Sequence, residues 1–196
     1  VRSVNRCYLF IYSLLLPFLK LFYPRRQKDR PPLPEGAAII CANHSNLVDP
    51  LLMAITFGKK HHLRVMAKIE LSRIPLIGWL LRKAGVYFVD RGTNDLNAVK
   101  TSLSLLKKGE KICIFPEGTR VHADESVDAK NGAVRFAMRT GVPIVPVFIT
   151  RDKKLFKKID LVVGEPYTVP KDGNMQELTE DLMRKIHALE PVSEKL

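Results

Sequence analysis

Short apolar runs alternate along this chain with longer stretches whose leucines and valines recur at three- and four-residue steps. That alternation confines the fold to layers of helix on sheet. Residues 37–41, 63–67, 86–89, 112–115 and 143–149 have strand length and apolar character. Between them, Asp49-Pro50 opens a helix that runs to Gly58, with Asp49 expected as its N-cap and Pro50 in its first turn. A second helix starts at Pro75 and stops at Gly85, and Leu96, Val99, Leu103 and Leu106 mark an amphipathic third that ends at Gly109. Residues 132–139 continue the pattern, and Met175, Leu178, Leu182 and Leu189 give the tail helical spacing. The expected fold is α/β, a mixed sheet flanked by helices.

With 196 residues, 46% apolar and 27% charged, the chain can bury a core as one domain, which excludes disorder as its main description. Lys and Arg total 32 against 20 Asp and Glu, a formal +12 that calls for an anionic partner. Nucleic acid is a poor fit, because basic residues are not interleaved with aromatics and no nucleic-acid motif is present. Cys7, Cys41 and Cys113 have neither paired nor metal-ligand spacing, so no disulfide framework, structural zinc or other metal is expected.

Residues 8–23 (YLFIYSLLLPFLKLFY) form the most apolar segment, followed at once by Arg25, Arg26, Lys28 and Arg30. The segment falls short of the ~20 apolar residues of an ordinary spanning helix and contains Pro17 and Lys20. Residues 1–30 hold seven Lys or Arg and one Asp, half of the net charge. Apolar residues beside a basic cluster suit a helix lying in the lipid interface, with cations facing anionic headgroups. A tilted span, a core helix and a signal peptide are the other arrangements; no small-residue cleavage site follows, and the basic flank keeps the body on the cytoplasmic side. The reading is therefore a membrane-associated segment over 1–30, a charged proline-rich linker at its end, and an α/β domain over 31–196.

The sharpest local feature is Asn43-His44-Ser45-Asn46-Leu47-Val48-Asp49. His44 and Asp49 would lie about 140° apart on one helix, so they meet only if a strand-to-helix loop folds the carboxylate back. Such a pair makes a general base, with the carboxylate fixing the imidazole tautomer. No G-x-S-x-G or reactive-cysteine context supplies a nucleophile, so the attacking hydroxyl belongs to the substrate. The plain alternative is a solvated His with Asp49 as a cap. The second feature is Phe115-Pro116-Glu117-Gly118-Thr119-Arg120, a turn directly after an apolar strand. Arg120 offers a planar fork for phosphate oxygens, and Glu117 is expected to pair with Arg120 or with a substrate hydroxyl. Val89-Asp90-Arg91-Gly92 adds another arginine at a strand end.

Taken together and in this order, these residues resemble the glycerolipid acyltransferases, specifically the 1-acyl-sn-glycerol-3-phosphate acyltransferase family. NHSNLVDP matches its NHx4D block and FPEGTR its third block, while residues 87–91 and Val145-Pro146-Val147 look like the second and fourth. The resemblance covers residues 36–166. It implies a glycerol-3-phosphate acyltransferase-like fold and transfer of a fatty acyl group from acyl-CoA or acyl carrier protein to a lysophosphatidic acid hydroxyl, forming phosphatidic acid without cofactor or metal. It makes His44 the base and Asp49 its orienting partner, with Arg91, Glu117, Gly118, Thr119 and Arg120 in the acceptor site. Members often carry two N-terminal membrane helices, whereas one apolar segment precedes residue 30 here. The compact length points to a bacterial cell membrane, cytoplasmic face. Acylation of glycerol-3-phosphate at sn-1, or of another lysophospholipid, is the alternative activity, and a basic membrane-surface module is the alternative outside enzymes.

Lys68, at a strand end, is a candidate for the acceptor pocket. Lys59-Lys60-His61-His62 with Arg64, and Lys153-Lys154 with Lys157-Lys158, read as solvated faces or headgroup contacts, with binding of coenzyme A phosphates as the alternative. Trp79 reads as core or membrane-interface packing.

Overall fold

The computed structural model describes residues 6–26, 30–90, 93, 95–121 and 128–191. Six strands form one sheet in the order β3-β2-β4-β1-β5-β6. They are β1 (Ala38–Ala42), β2 (Leu63–Lys68), β3 (Tyr87–Val89), β4 (Lys111–Ile114), β5 (Ile144–Ile149) and β6 (Leu161–Val163). Five run parallel, and β6 pairs antiparallel with β5 at the edge, so the sheet is mixed as expected. The helices are α1 (Arg6–Phe22), α2 (Asp49–Phe57), α3 (Ile69–Ser72), α4 (Pro75–Ala84), α5 (Leu96–Lys107), α6 (Gly132–Thr140) and α7 (Met175–Ala188).

Strand β1 explains why the sheet is covered on both sides. All its residues are fully buried, and side chains alternate across a strand. Ala38, Ile40 and Ala42 pack with Leu52, Met53 and Phe57 of α2, while Ile39 and Cys41 pack with α5, α6 and α7 through Leu105, Phe136, Leu182 and Ile186. A half-solvated strand would show polar residues at every second position; AIICA shows none.

After α1, Arg25 bridges to Ile159, and its guanidinium donates to Thr56 Oγ1 at 2.5 Å. Helix α1 lies on the α2 and α4 side, with Tyr8 and Leu19 buried and the Tyr12 hydroxyl donating to the Ile55 carbonyl at 3.3 Å. Its other face leaves Phe10, Leu14, Phe18 and Leu21 exposed, and α4 leaves Leu76, Ile77 and Trp79 exposed. Trp79 is thus not a core residue. No helix of the described residues is long and apolar enough to cross a membrane.

The basic clusters divide differently from the sequence reading. The His62 ring packs tilted against Tyr8 with centroids 4.1 Å apart and hydrogen-bonds the Ala84 carbonyl, and Arg64 pairs with Glu110 at 3.4 Å. Lys154 is solvated beside Asp152 at 3.5 Å, but the Lys153 side chain is fully buried. Glycine-rich or lysine-rich spelling does not reveal which of two adjacent lysines points inward.

Candidate active site

The carboxyl ends of β1, β4 and β5 are adjacent, and each continues into a loop that contributes to one site, as expected for parallel strands of an open α/β sheet. Asn43, leaving β1, keeps the sheet pairing going with its side chain: its amide donates to the Ile149 carbonyl at 2.8 Å and accepts from the Ile149 N–H at 2.7 Å. His44 therefore departs from a fixed point.

The next residues turn back on themselves. Asp49 Oδ2 lies 2.9 Å from His44 Nδ1 and accepts the backbone N–H groups of Ser45 at 2.8 Å and Asn46 at 2.7 Å. One carboxylate oxygen thus organises both the loop and the imidazole. The N-cap assignment for Asp49 is corrected here: Val48 occupies that position, and Asp49 is the first helical residue, aimed at the loop before the helix rather than at the turn after it. Its charge is stabilised near a helix N-terminus. The other oxygen, Oδ1, sits 2.9 Å from Lys153 Nζ, with both side chains out of contact with water. Burial pushes the Asp49 carboxyl up, but the His44 hydrogen bond and the Lys153 charge outweigh it, and the net direction is down. The same burial draws the Lys153 ammonium down from its ordinary value.

The turn after β4 closes over this loop. The Phe115 ring stacks on the His44 imidazole with centroids 4.4 Å apart, and the Val121 N–H donates to the His44 carbonyl at 2.8 Å. Gly118 takes φ +67°, a left-handed value that a side chain resists, and a Cβ there would meet Lys130 Cγ at 3.2 Å. Glu117 is buried and accepts the His44 backbone N–H at 2.6 Å. Its ion pair is with Arg151 at 3.3 Å, from the segment after β5, and not with Arg120, which is exposed at the cavity. Burial pushes the Glu117 carboxyl up, opposed by the His44 N–H and the Arg151 charge.

A cavity of about 650 Å³ opens beside His44. Its walls are apolar, from Ile11 and Leu15 of α1, Leu51 and Ala54 of α2, Val65 of β2 and Leu80 of α4, while Lys68, Gly118, Thr119 and Arg120 contribute its polar part. The structure thus brings together His44, Asp49, Glu117, Gly118, Thr119, Arg120 and Lys68, with Lys68 also paired to Glu70 at 2.9 Å. Arg91 lies outside the described residues. Sequence reasoning gave no role to Asn43 or Arg151 and read Lys153 as part of a solvated or headgroup-facing cluster; their partners are distant in the chain, so no local spacing announces them. Among the described residues, no group of three His, Cys, Asp or Glu side chains is arranged to hold a metal ion. An imidazole fixed by a buried carboxylate beside an apolar cavity with cations at its edge is suited to taking a proton from a hydroxyl on an amphiphilic phosphate ester.

Comparison with known proteins agrees with that chemistry. A model of the Acyltransferase family matches residues 25–150. The 1-acyl-sn-glycerol-3-phosphate acyltransferase of Bacillus subtilis is 34% identical over 83% of this chain and 85% of its own length. The enzyme of that name from Borreliella burgdorferi is 34% identical over 61% of this chain, which spans about half (48%) of that longer protein. The fold is similar to the crystal structure of the 1-acyl-sn-glycerophosphate (LPA) acyltransferase PlsC from Thermotoga maritima, with a TM-score of 0.67, 24% identity, and coverage of 95% of this chain and 78% of that one.

Proposed function

The chain belongs to the acyltransferase family, and from that premise we propose that it acylates the sn-2 hydroxyl of 1-acyl-sn-glycerol-3-phosphate, forming phosphatidic acid. The acyl donor is a thioester, acyl-CoA or acyl carrier protein. The observation that carries this reading is the His44–Asp49 pair at 2.9 Å, opening onto a cavity apolar along its walls and cationic at Lys68 and Arg120.

Asp49 accepts from His44 Nδ1–H, which leaves Nε2 as the basic nitrogen. Nε2 takes the hydroxyl proton as the acceptor oxygen bonds to the thioester carbonyl carbon. Asp49 stabilises the imidazolium so formed, an assistance worth ~10²–10⁴ in rate. The tetrahedral intermediate collapses with cleavage of the C–S bond, and the departing thiolate recovers the proton from Nε2. Lys68 and Arg120 hold the acceptor phosphate, and the apolar walls take hydrocarbon.

The enzyme works at a phospholipid surface, on the cytoplasmic side of a bacterial membrane. Supporting this, Phe18 of α1 and Leu76 and Trp79 of α4 are exposed, on two helices that also line the cavity, and Arg26 just after α1 is exposed too. Aromatic and basic residues together suit the headgroup region.

Purified protein with an acyl donor, offered lysophosphatidic acid, glycerol-3-phosphate and lysophosphatidylcholine side by side, tests the assignment. Turnover is expected with lysophosphatidic acid, and Arg120→Ala should raise its KM about 10-fold. Preference for either other acceptor would replace the sn-2 assignment; no turnover with any would favour a lipid-binding module.

A further inference from the structure

Lys153 is a buried cation that the reaction above does not use. Its ammonium sits 2.9 Å from Asp49 Oδ1 and donates to Ser45 Oγ at 2.7 Å, and that hydroxyl donates to the Arg151 carbonyl at 2.9 Å. The lysine is thus tied to the carboxylate and to the loop residue that follows His44. We propose that Lys153 is a positioning residue acting on His44 through Asp49: it holds the carboxylate by Oδ1, reserving Oδ2 for the imidazole, and its charge limits how firmly His44 keeps a proton.

The geometry leaves little freedom. Oδ2 is already shared among the His44 ring and two backbone N–H groups, so Oδ1 must be satisfied by another element or left bare in a dry site. Burial disfavours both charges, yet Asp49 stays more acidic than usual. With His44 neutral, the His44–Asp49–Lys153 group carries no net charge; proton transfer to His44 brings the group to +1. Without the lysine the same step would run from −1 to 0, which traps the imidazolium. A base that must return its proton to a departing thiolate benefits from the first arrangement. The other charged and titratable groups facing this centre are Glu117 after β4, Cys113 on β4, Arg151 and Asp152 beside Lys153, and Lys68 and Arg120 at the cavity. All of these remain when Lys153 is replaced.

This inference rests on His44 as the base, and its test does not require turnover. The ring proton of His44, identified by its loss in His44→Gln, is titrated by NMR in the full chain, in wild type, Lys153→Met, Lys153→Gln and Lys153→Arg. Both neutral variants should raise the midpoint by about one pH unit, and the acid limb of kcat/KM should move the same way. Lys153→Gln keeps a donor for Ser45 and removes only the charge; Lys153→Arg keeps the charge and should titrate like wild type. An unmoved midpoint in a folded neutral variant overturns the proposal, as does a loss of activity by one factor at every pH. Failure of both neutral variants to fold also overturns it, since the lysine's role is then structural. A raised midpoint in a protein that does not acylate lysophosphatidic acid would sink the proposed activity and leave Lys153's assignment standing.

Discussion

The two sides of the cavity are built on opposite rules. At the floor, meaning His44 and the buried side chains bonded in and around its loop, polar groups are committed to specific partners: Asn43 to Ile149, Asp49 to His44 and Lys153, Glu117 to His44 and Arg151. Along its wall, α1 and α4 present apolar side chains such as Ile11, Leu15 and Leu80, and elsewhere α4 leaves Leu76 75% and Trp79 53% exposed. Directional bonds in a dry place fix atoms closely and make the loss of one partner costly. Apolar area is forgiving in position and roughly additive. The floor is therefore where turnover is set, and the wall is where amphiphiles and their surface are met.

Asp49→Asn puts the largest strain on that contrast. It should cut kcat by about 10³–10⁴-fold and, by stranding a buried ammonium, cost roughly 3–5 kcal/mol at neutral pH. The folded Asp49 carboxyl lies below its ordinary 3.8, so the stability it contributes is present above that pH and fades as pH falls through the folded value. In urea melts the gap between wild type and variant should accordingly shrink as pH is taken progressively below 3.8; a constant gap would break the electrostatic account of the floor. Next in size, Leu76→Ser with Trp79→Ser should lower partitioning onto anionic vesicles about 10-fold or more while kcat on a dispersed short-chain acceptor stays put. Equal loss of turnover in that assay would erase the division between floor and wall. The smallest effect belongs to Glu117→Gln. Burial raises this carboxyl above 4.5, so the stability linked to its protonated form is present at low pH and lost as pH rises through the raised value. The variant should therefore compare better with wild type at pH 7 than at pH 5, the opposite trend to Asp49→Asn, by roughly 1 kcal/mol in melts at the two pH values.

How far this was legible in the sequence follows from the range of each interaction. Strands β1, β4 and β5 were readable because runs such as AIICA and IVPVFI are apolar at every position, which only a doubly covered strand requires. β6 and α3, at three and four residues, are too short to display a period, and neither was anticipated. His44 and Asp49 were readable because they are five positions apart and the loop between them brings them together. Arg151 and Lys153 were not, because they reach Glu117 and Ser45 across separations of 34 and 108 positions. Local spacing instead offered Arg120 to Glu117 and solvent to Lys153, and tertiary packing overrode both. The exposed face of α4 was left open for a related reason: a helix spelled PLIGWLLRKA suits core or membrane-interface packing equally until its neighbours are known.

Asn43 carries a consequence for how its motif is to be understood. Its amide does for the end of β1 what one more rung of a ladder would do, offering a donor and an acceptor to Ile149 at once. Aspartate has only acceptors at neutral pH, leucine has neither, and a serine hydroxyl does not reach both atoms of a neighbouring peptide. The first letter of the NHx4D block is thus a joiner's peg rather than a reagent: it sets the depth at which the imidazole emerges, and the chemistry begins one residue later.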